Sequence, residues 1–158
     1  MALAQTLKAH LERHGVAWRT LRHPATASSH DTAAVAHVPE DHIAKAVVVR
    51  DERGPAMVVI PASHWLRLET LNAKLDRGFG LADESGLDRL FPDCAAGAIP
   101  PVGPAYGLET FVDENLASLA RVFLEAGDHE ALIEVSGEDF LRLQDGARRD
   151  YYSHDGTT

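Results

Sequence analysis

The sequence predicts an α+β fold, a mixed and mostly antiparallel central sheet with helices packed on it. Two observations carry this. Some segments space their apolar residues for a helix, while others form continuous β-branched runs, and the two kinds do not alternate regularly along the chain. No repeat, heptad run or low-complexity linker interrupts the 158 residues, which suit one domain able to bury about two-thirds of its unfolded surface.

The elements follow in order. Leu3, Leu7 and Leu11 mark a first amphipathic helix, with Gly15 placed for its C-cap. Residues 16–21 alternate as a short strand that His23 and Pro24 end. Ser28 offers an N-cap with Asp31 three residues on, opening a short helix through His37 that Pro39 stops. One further helical turn, residues 39–44, leads into the clearest pair of strands, 45–50 and 56–61. Their unbroken β-branched runs suit strands covered on both faces, so this hairpin belongs at the centre of the sheet. Trp65, Leu68, Leu71 and Leu75 then space as a helix, residues 78–81 as a strand, and Asp83 caps a helix ending at Leu90. Strands follow at 108–113, 120–125 and 131–135, and the capping box from Ser136 to Asp139 opens a last helix through Leu143. The domain is expected to span residues 1–146, with a polar, frayed tail at 147–158.

Charge and composition narrow the function. A net charge of −9 argues against a protein that coats nucleic acid, because such binding rests on Lys and Arg neutralising phosphates. Any polyanion must meet a local patch: Arg50 with Arg53, Arg67 with Lys74 and Arg77, or Arg148 with Arg149. The single Cys94 excludes an intramolecular disulfide and fits a reducing cytoplasm, and no apolar run is long enough to span a membrane. No Gly-x-Ser-x-Gly and no phosphate-binding glycine loop with Lys-Ser/Thr occurs.

Chemistry concentrates in two places. Lys45 opens an apolar strand, so its ammonium is held by rigid neighbours and is placed to polarise a carbonyl or hold a phosphate oxygen. The stretch from Gly97 to Pro104 (Gly-Ala-Ile-Pro-Pro-Val-Gly-Pro) is uncharged and rich in glycine and proline, so it reads as a pre-shaped loop whose main chain faces a ligand. His129 lies in a turn beside Asp128. His10 and His14 share one helical face, but no third ligand follows at a metal-binding spacing, so no metal is expected. Asp93 beside Cys94 raises the thiol pKa, which favours a structural cysteine.

The order of these features resembles the YbaK/ProX family, free-standing relatives of the editing domain of bacterial prolyl-tRNA synthetases. The resemblance runs from about Leu3 to Leu143 and rests on Ile43-Ala-Lys45 leading into an apolar strand, a second such strand, and Gly97-x-x-x-Pro101 followed by Gly103. It implies hydrolysis of the ester linking a wrong, small amino acid to tRNA, in trans to the synthetase and without a cofactor. On it, Lys45 and the backbone of Gly97, Ala98, Ile99 and Gly103 are catalytic, the loop amides, Val102 included, holding the oxyanion while the tRNA ribose assists water. Ala46, Pro101, Val102, His129 and His30 line the substrate side. Ala46 stands where some subfamilies carry a polar side chain, so specificity does not carry over. The implied partners are the acceptor end of a mischarged tRNA and an aminoacyl-tRNA synthetase. The rival reading is a module that binds the synthetase or the acceptor end without turnover.

Overall fold

A computed structural model describes every residue except 1, 2, 25, 27, 28, 96 and 156–158; the side chains of Ser29 and Glu84 are also outside the description. Helix α1 (Gln5–Arg13) buries Leu7 and Leu11 completely, and Gly15, at φ 64°, turns the chain out of it. Val16 still belongs to that turn, its amide donating to the Leu11 carbonyl, so strand β1 (Arg19–Arg22) starts three residues later than expected. Helix α2 (Ser29–Ala36) is present where predicted; its expected cap, Ser28, lies outside the described residues.

The expected hairpin forms the centre of the sheet. Strands β2 (Ile43–Asp51) and β3 (Gly54–Pro61) pair antiparallel along their length, and the Asp51↔Gly54 pair leaves only Glu52 and Arg53 in the turn. Gly54 takes φ 117°, a value side chains avoid. Because β2 begins at Ile43, Lys45 is its third residue and not its first. Trp65 is also displaced from its expected helix: it sits in the short strand β4 (Trp65–Leu66), and helix α3 (Leu68–Leu75) begins after it.

Strand β5 (Gly80–Leu81) and helix α4 (Glu84–Leu90) follow the expected order, although the Asp83 side chain makes no capping hydrogen bond. The Pro/Gly segment closes with a 3-10 turn at Gly103–Tyr106, where Pro104 in the first turn gives up no needed N–H. Strand β6 (Glu109–Asp113) then runs into a helical turn the sequence reading omitted, α5 (Glu114–Ala117), which Asp113 caps by accepting from the Asn115 amide. Strands β7 (Arg121–Glu125) and β8 (Ala131–Ser136) and helix α6 (Gly137–Leu143) complete the expected set, with Ser136 capping α6 through the Asp139 amide.

The described part of the tail, residues 147–155, is not frayed. Strand β9 (Arg148–Asp150) pairs parallel with β6, β10 (Ser153–His154) pairs with β4, and Tyr152 between them is fully buried. Asp113 secures it, accepting from the Tyr152 amide at 2.9 Å and the Ser153 hydroxyl at 2.7 Å. Composition misled here because backbone pairing, which any polar sequence can supply, holds these residues.

The main sheet runs β1-β8-β7-β2-β3-β6-β9, with β5 also on β2. Its β2–β3, β2–β5, β7–β8 and β1–β8 pairs are antiparallel, and β2–β7, β3–β6 and β6–β9 are parallel. One face packs on α1, α5 and α6 through Leu7, Leu11, Leu116, Phe140 and Leu143; the other carries α3 over Val58, Ile60 and Phe111 and α2 over Ile43 and Leu132.

Candidate functional site

The site arises from a split in the sheet. On one edge β2 pairs with β3 throughout, but on the other it meets β7 only at Ile43 and Ala44 and β5 only at Val49 and Arg50. Between these contacts the edge is open. The Val48 carbonyl accepts from the Ala82 amide on that edge, so strand alternation turns the amide and carbonyl of Ala46 toward the gap as well.

A cleft of about 400 Å³ fills the gap, lined by Lys45, Ala46, Val48, Phe91, Gly97 and Ile99 among others. That volume is within the usual range for small-ligand sites. At its deep end Lys45, Ala46, Gly97 and Ile99 meet Glu125 around a hollow of about 50 Å³. Beyond Lys45 a second hollow is bounded by His30, Glu40, Ser63, His64 and Trp65. A larger groove, lined by Arg77, Glu109, Thr110 and Arg148, lies elsewhere, and its Arg77 is already paired with Asp51 at 2.6 Å and Glu109 at 3.1 Å.

The Lys45 ammonium is half-buried. Its Nζ donates a long hydrogen bond of 3.5 Å to the His64 carbonyl and stands 5.8 Å from the centre of the Trp65 ring. Burial pulls its pKa down, with Glu40 opposing. Glu40 itself is 2.9 Å from His30 Nδ1, a contact that raises the His30 pKa.

The loop contributes fewer groups than expected. Gly97 is exposed at φ 78° and has only backbone to offer; Ile99 is half-buried beside it. The Ala98 amide donates to the Ala95 carbonyl and the Val102 amide to the Pro100 carbonyl, so neither is available as the oxyanion donor expected of it. Ala98, Pro101, Val102 and Gly103 are buried and shape the loop from behind: Gln144 donates to the Pro101 carbonyl at 2.8 Å, and a side chain at Gly103 would collide with the Thr110 hydroxyl. The loop is also tied to the β7–β8 turn, the Ala95 amide donating to the Gly127 carbonyl at 2.7 Å. His129, at φ 61°, lies in that turn and does not border the cleft, but its charge acts on Glu125.

Glu125 was absent from the sequence reading. It is 2 % exposed, and no hydrogen bond of normal length reaches either carboxylate oxygen among the described residues. Burial pushes its pKa up to about 7; His129 and the Thr32 hydroxyl oppose this, and Asp128 adds to it. A sequence signal existed: this carboxylate ends an apolar strand, Val122-Phe-Leu-Glu125, with no basic residue on the strand except Arg121.

The remaining candidates are accounted for. Burial pushes the Cys94 thiol up to about 12, which leaves almost no thiolate at neutral pH. The third ligand missing beside His10 and His14 does exist, since Asp145 brings its carboxylate within 4.8 Å of both rings. Arg13 stands 3.4 Å from His10 Nδ1 and Asp145 is 2.7 Å from His14 Nε2, so the trio is engaged in clasping α1 to the end of α6. Within the basic patches three cations are engaged by carboxylates: Lys74 pairs with Asp150, Arg77 with Asp51 and Arg149 with Glu114.

The family model of the aminoacyl-tRNA editing domain matches residues 23–143, which include the central strands β2, β3, β5, β6, β7 and β8 and both walls of the cleft. The chain belongs to the aminoacyl-tRNA editing domain family. Among solved structures, this editing domain is similar to a hypothetical protein, APE2540, at 26% identity, with 95% of this chain and 100% of that one covered and a TM-score of 0.83. A structure described as a "putative trans-editing enzyme for prolyl tRNA synthetase" shares the fold at 23% identity, with 96% of each chain covered and a TM-score of 0.82. A structure described as a "Putative signal transduction protein" from Marinobacter aquaeolei VT8, 20% identical, has the same fold over 30% of its length, covering 95% of this chain at a TM-score of 0.77. No curated protein matches the sequence. No helix among the described residues is long and apolar enough to cross a membrane.

Proposed function

We propose that this editing domain hydrolyses the ester of a small amino acid mischarged onto tRNA, acting in trans. The observation that carries the reading is the cleft itself: in a chain of the editing family, Lys45, Ala46, Gly97 and Ile99 border one cavity in the gap between β7 and β5. In this reading the aminoacyl group enters the cleft, where the methyl side chain of Ala46 leaves room for it and the enclosed hollow of about 50 Å³ bounded by Gly97, Ile99 and Glu125 favours a small side chain. The Lys45 ammonium, weakly engaged by one long hydrogen bond, holds the terminal phosphate or the ester carbonyl. Gly97 and Ile99 present the loop side of the cleft, with backbone amides to stabilise a tetrahedral oxyanion. Much of the acceleration would come from positioning, and discrimination by size alone is worth about 1–3 kcal/mol per methylene.

Of the implied partners, the acceptor end of a charged tRNA fits this reading best, since Lys45 faces both the cleft and the outer hollow containing His30 and Trp65. The test is a panel of labelled mischarged tRNAs incubated with the protein and with its Lys45→Ala variant. Release of a small amino acid by the wild type, lost at least tenfold in the variant, is expected. A synthetase-binding module without turnover would instead release nothing from any tRNA while retaining a synthetase on an affinity column.

A further inference from the structure

The buried carboxylate at the deep end of the cleft has no structural work that accounts for it. Among the described residues it caps no helix, it is in no ion pair of 4.0 Å or less, and no hydrogen bond of normal length reaches either oxygen, the Thr32 hydroxyl acting on it only weakly. Leaving a carboxylate buried in this way is expensive, and such groups persist mainly where function needs them. The strand register explains how it reaches the cleft. Phe123 stands opposite Ile43 and Leu124 opposite Ala44 in the parallel β7–β2 pair, so the next position sets Glu125 level with Lys45 just where the strands part. Side chains alternate along both strands, which puts Glu125 and Lys45 on the same face of the sheet, toward α2. The carboxylate and the ammonium thus border one hollow without pairing, the ammonium being drawn toward His64 and Trp65.

Resting on the deacylase reading above, we propose that Glu125 is the general base of this site, a catalytic residue that takes a proton from the attacking water. The hollow of about 50 Å³ between Glu125, Gly97 and Ile99 has room for a water molecule, which needs only about 10–15 Å³ of such space. One O–H bond of that water breaks as its proton passes to the Glu125 carboxylate, and its oxygen forms the new bond to the ester carbonyl carbon. The tetrahedral oxyanion collapses, the bond to the ribose oxygen breaks, and the proton held on Glu125 passes to that oxygen. The products are a free amino acid and a tRNA hydroxyl, with the carboxylate restored. A base must be ionised while still holding a proton well enough to take it, and the environment of Glu125 provides this balance. Its surroundings are mixed: Lys45 of β2 borders the hollow, Asp128 and His129 of the turn and Thr32 of α2 act on the Glu125 carboxyl, and its β8 partner is the apolar Leu132.

The experiment is a single-turnover pH–rate profile between pH 5.5 and 9 for the wild type, Glu125→Gln and Glu125→Asp, on the mischarged tRNA found in the panel. Binding of a non-hydrolysable aminoacyl-adenosine amide is measured alongside. The wild-type rate is expected to rise about tenfold per pH unit in the acid limb and to level off near pH 7, the range to which burial pushes this carboxyl. Glu125→Gln should be slower by about 100-fold or more, without that inflection, while binding the amide within about threefold of wild type; Glu125→Asp should regain part of the rate and the inflection. A Gln variant within threefold of wild type, or one that keeps the same inflection, overturns the base and leaves the deacylase reading standing. Equal losses of binding and rate overturn it too, because a packing role predicts them. A wild type that is inactive on the whole panel overturns both.

Discussion

Replacing Glu125 with glutamine is expected to make the folded chain more stable at pH 8 and about 1 kcal/mol less stable near pH 4, where the carboxyl is already neutral. The carboxyl titrates at about 7 in the fold, chiefly because burial disfavours the charge, against 4.5 for a solvated glutamate. Between those values the folded chain holds the proton and the unfolded chain has released it. Stability contributed by this group is therefore present below pH 4.5, falls as pH rises, and is fully lost above pH 7. At about 1.4 kcal/mol for each pH unit of displacement, the ionised carboxylate costs the fold about 3 kcal/mol at pH 8. Glutamine removes the charge but leaves a buried amide to satisfy, so a net gain of about 2 kcal/mol is expected, or a rise of about 4–8 °C in melting temperature. Urea unfolding of both proteins at pH 4, 6 and 8 reads this directly. Curves for wild type and variant that run parallel across the range would refute the reasoning, because they would mean that Glu125 is solvated or paired in solution. Paired with the expected loss of hydrolysis, the result would show stability given up for chemistry at one residue.

Asp113→Ala should cost about 3–5 kcal/mol in urea unfolding at neutral pH, because its carboxylate accepts from the Asn115 and Tyr152 amides and the Ser153 hydroxyl and ties the tail to β6; a loss under 1 kcal/mol would mean the tail is not anchored there. Ala46→Leu should add bulk to the cleft beside Lys45 and lower deacylation at least tenfold, with an unfolding midpoint close to wild type; unchanged turnover would place the aminoacyl group elsewhere.

Much of the fold was legible in local pattern. The β-branched runs at 46–49 and 57–60 marked the two central strands, and the Ser136 to Asp139 box marked the start of α6, because each depends on near neighbours in sequence. Elements held by distant partners were not: β9 is a polar triplet, Arg148–Asp150, that becomes a strand only because β6 offers an edge, and α5 is a single turn dependent on its Asp113 cap. Within the site, Lys45, Ala46, Gly97 and Ile99 stood out as a lysine-led strand and an uncharged rigid loop, and the structure brings them to one cavity. Ala98, Val102 and Gly103 belong to the same loop but face inward, since which amides of a Pro/Gly segment remain open is fixed by hydrogen bonds to Ala95 and Pro100 and by packing on Thr110 and Gln144.

By itself, then, the sequence determined the α+β class, the central hairpin and the two segments that meet at the cleft, all properties written in hydrophobic period, turn chemistry and the conformational limits of glycine and proline. The tertiary structure alone decided that β7 leaves β2 after Ala44 and so opens the sheet, and that the buried residue bordering the hollow there is Glu125. A carboxylate's burial and titration depend on which strands stop pairing beside it, and strand pairing joins residues far apart in the chain, as Ala44 and Leu124 are here.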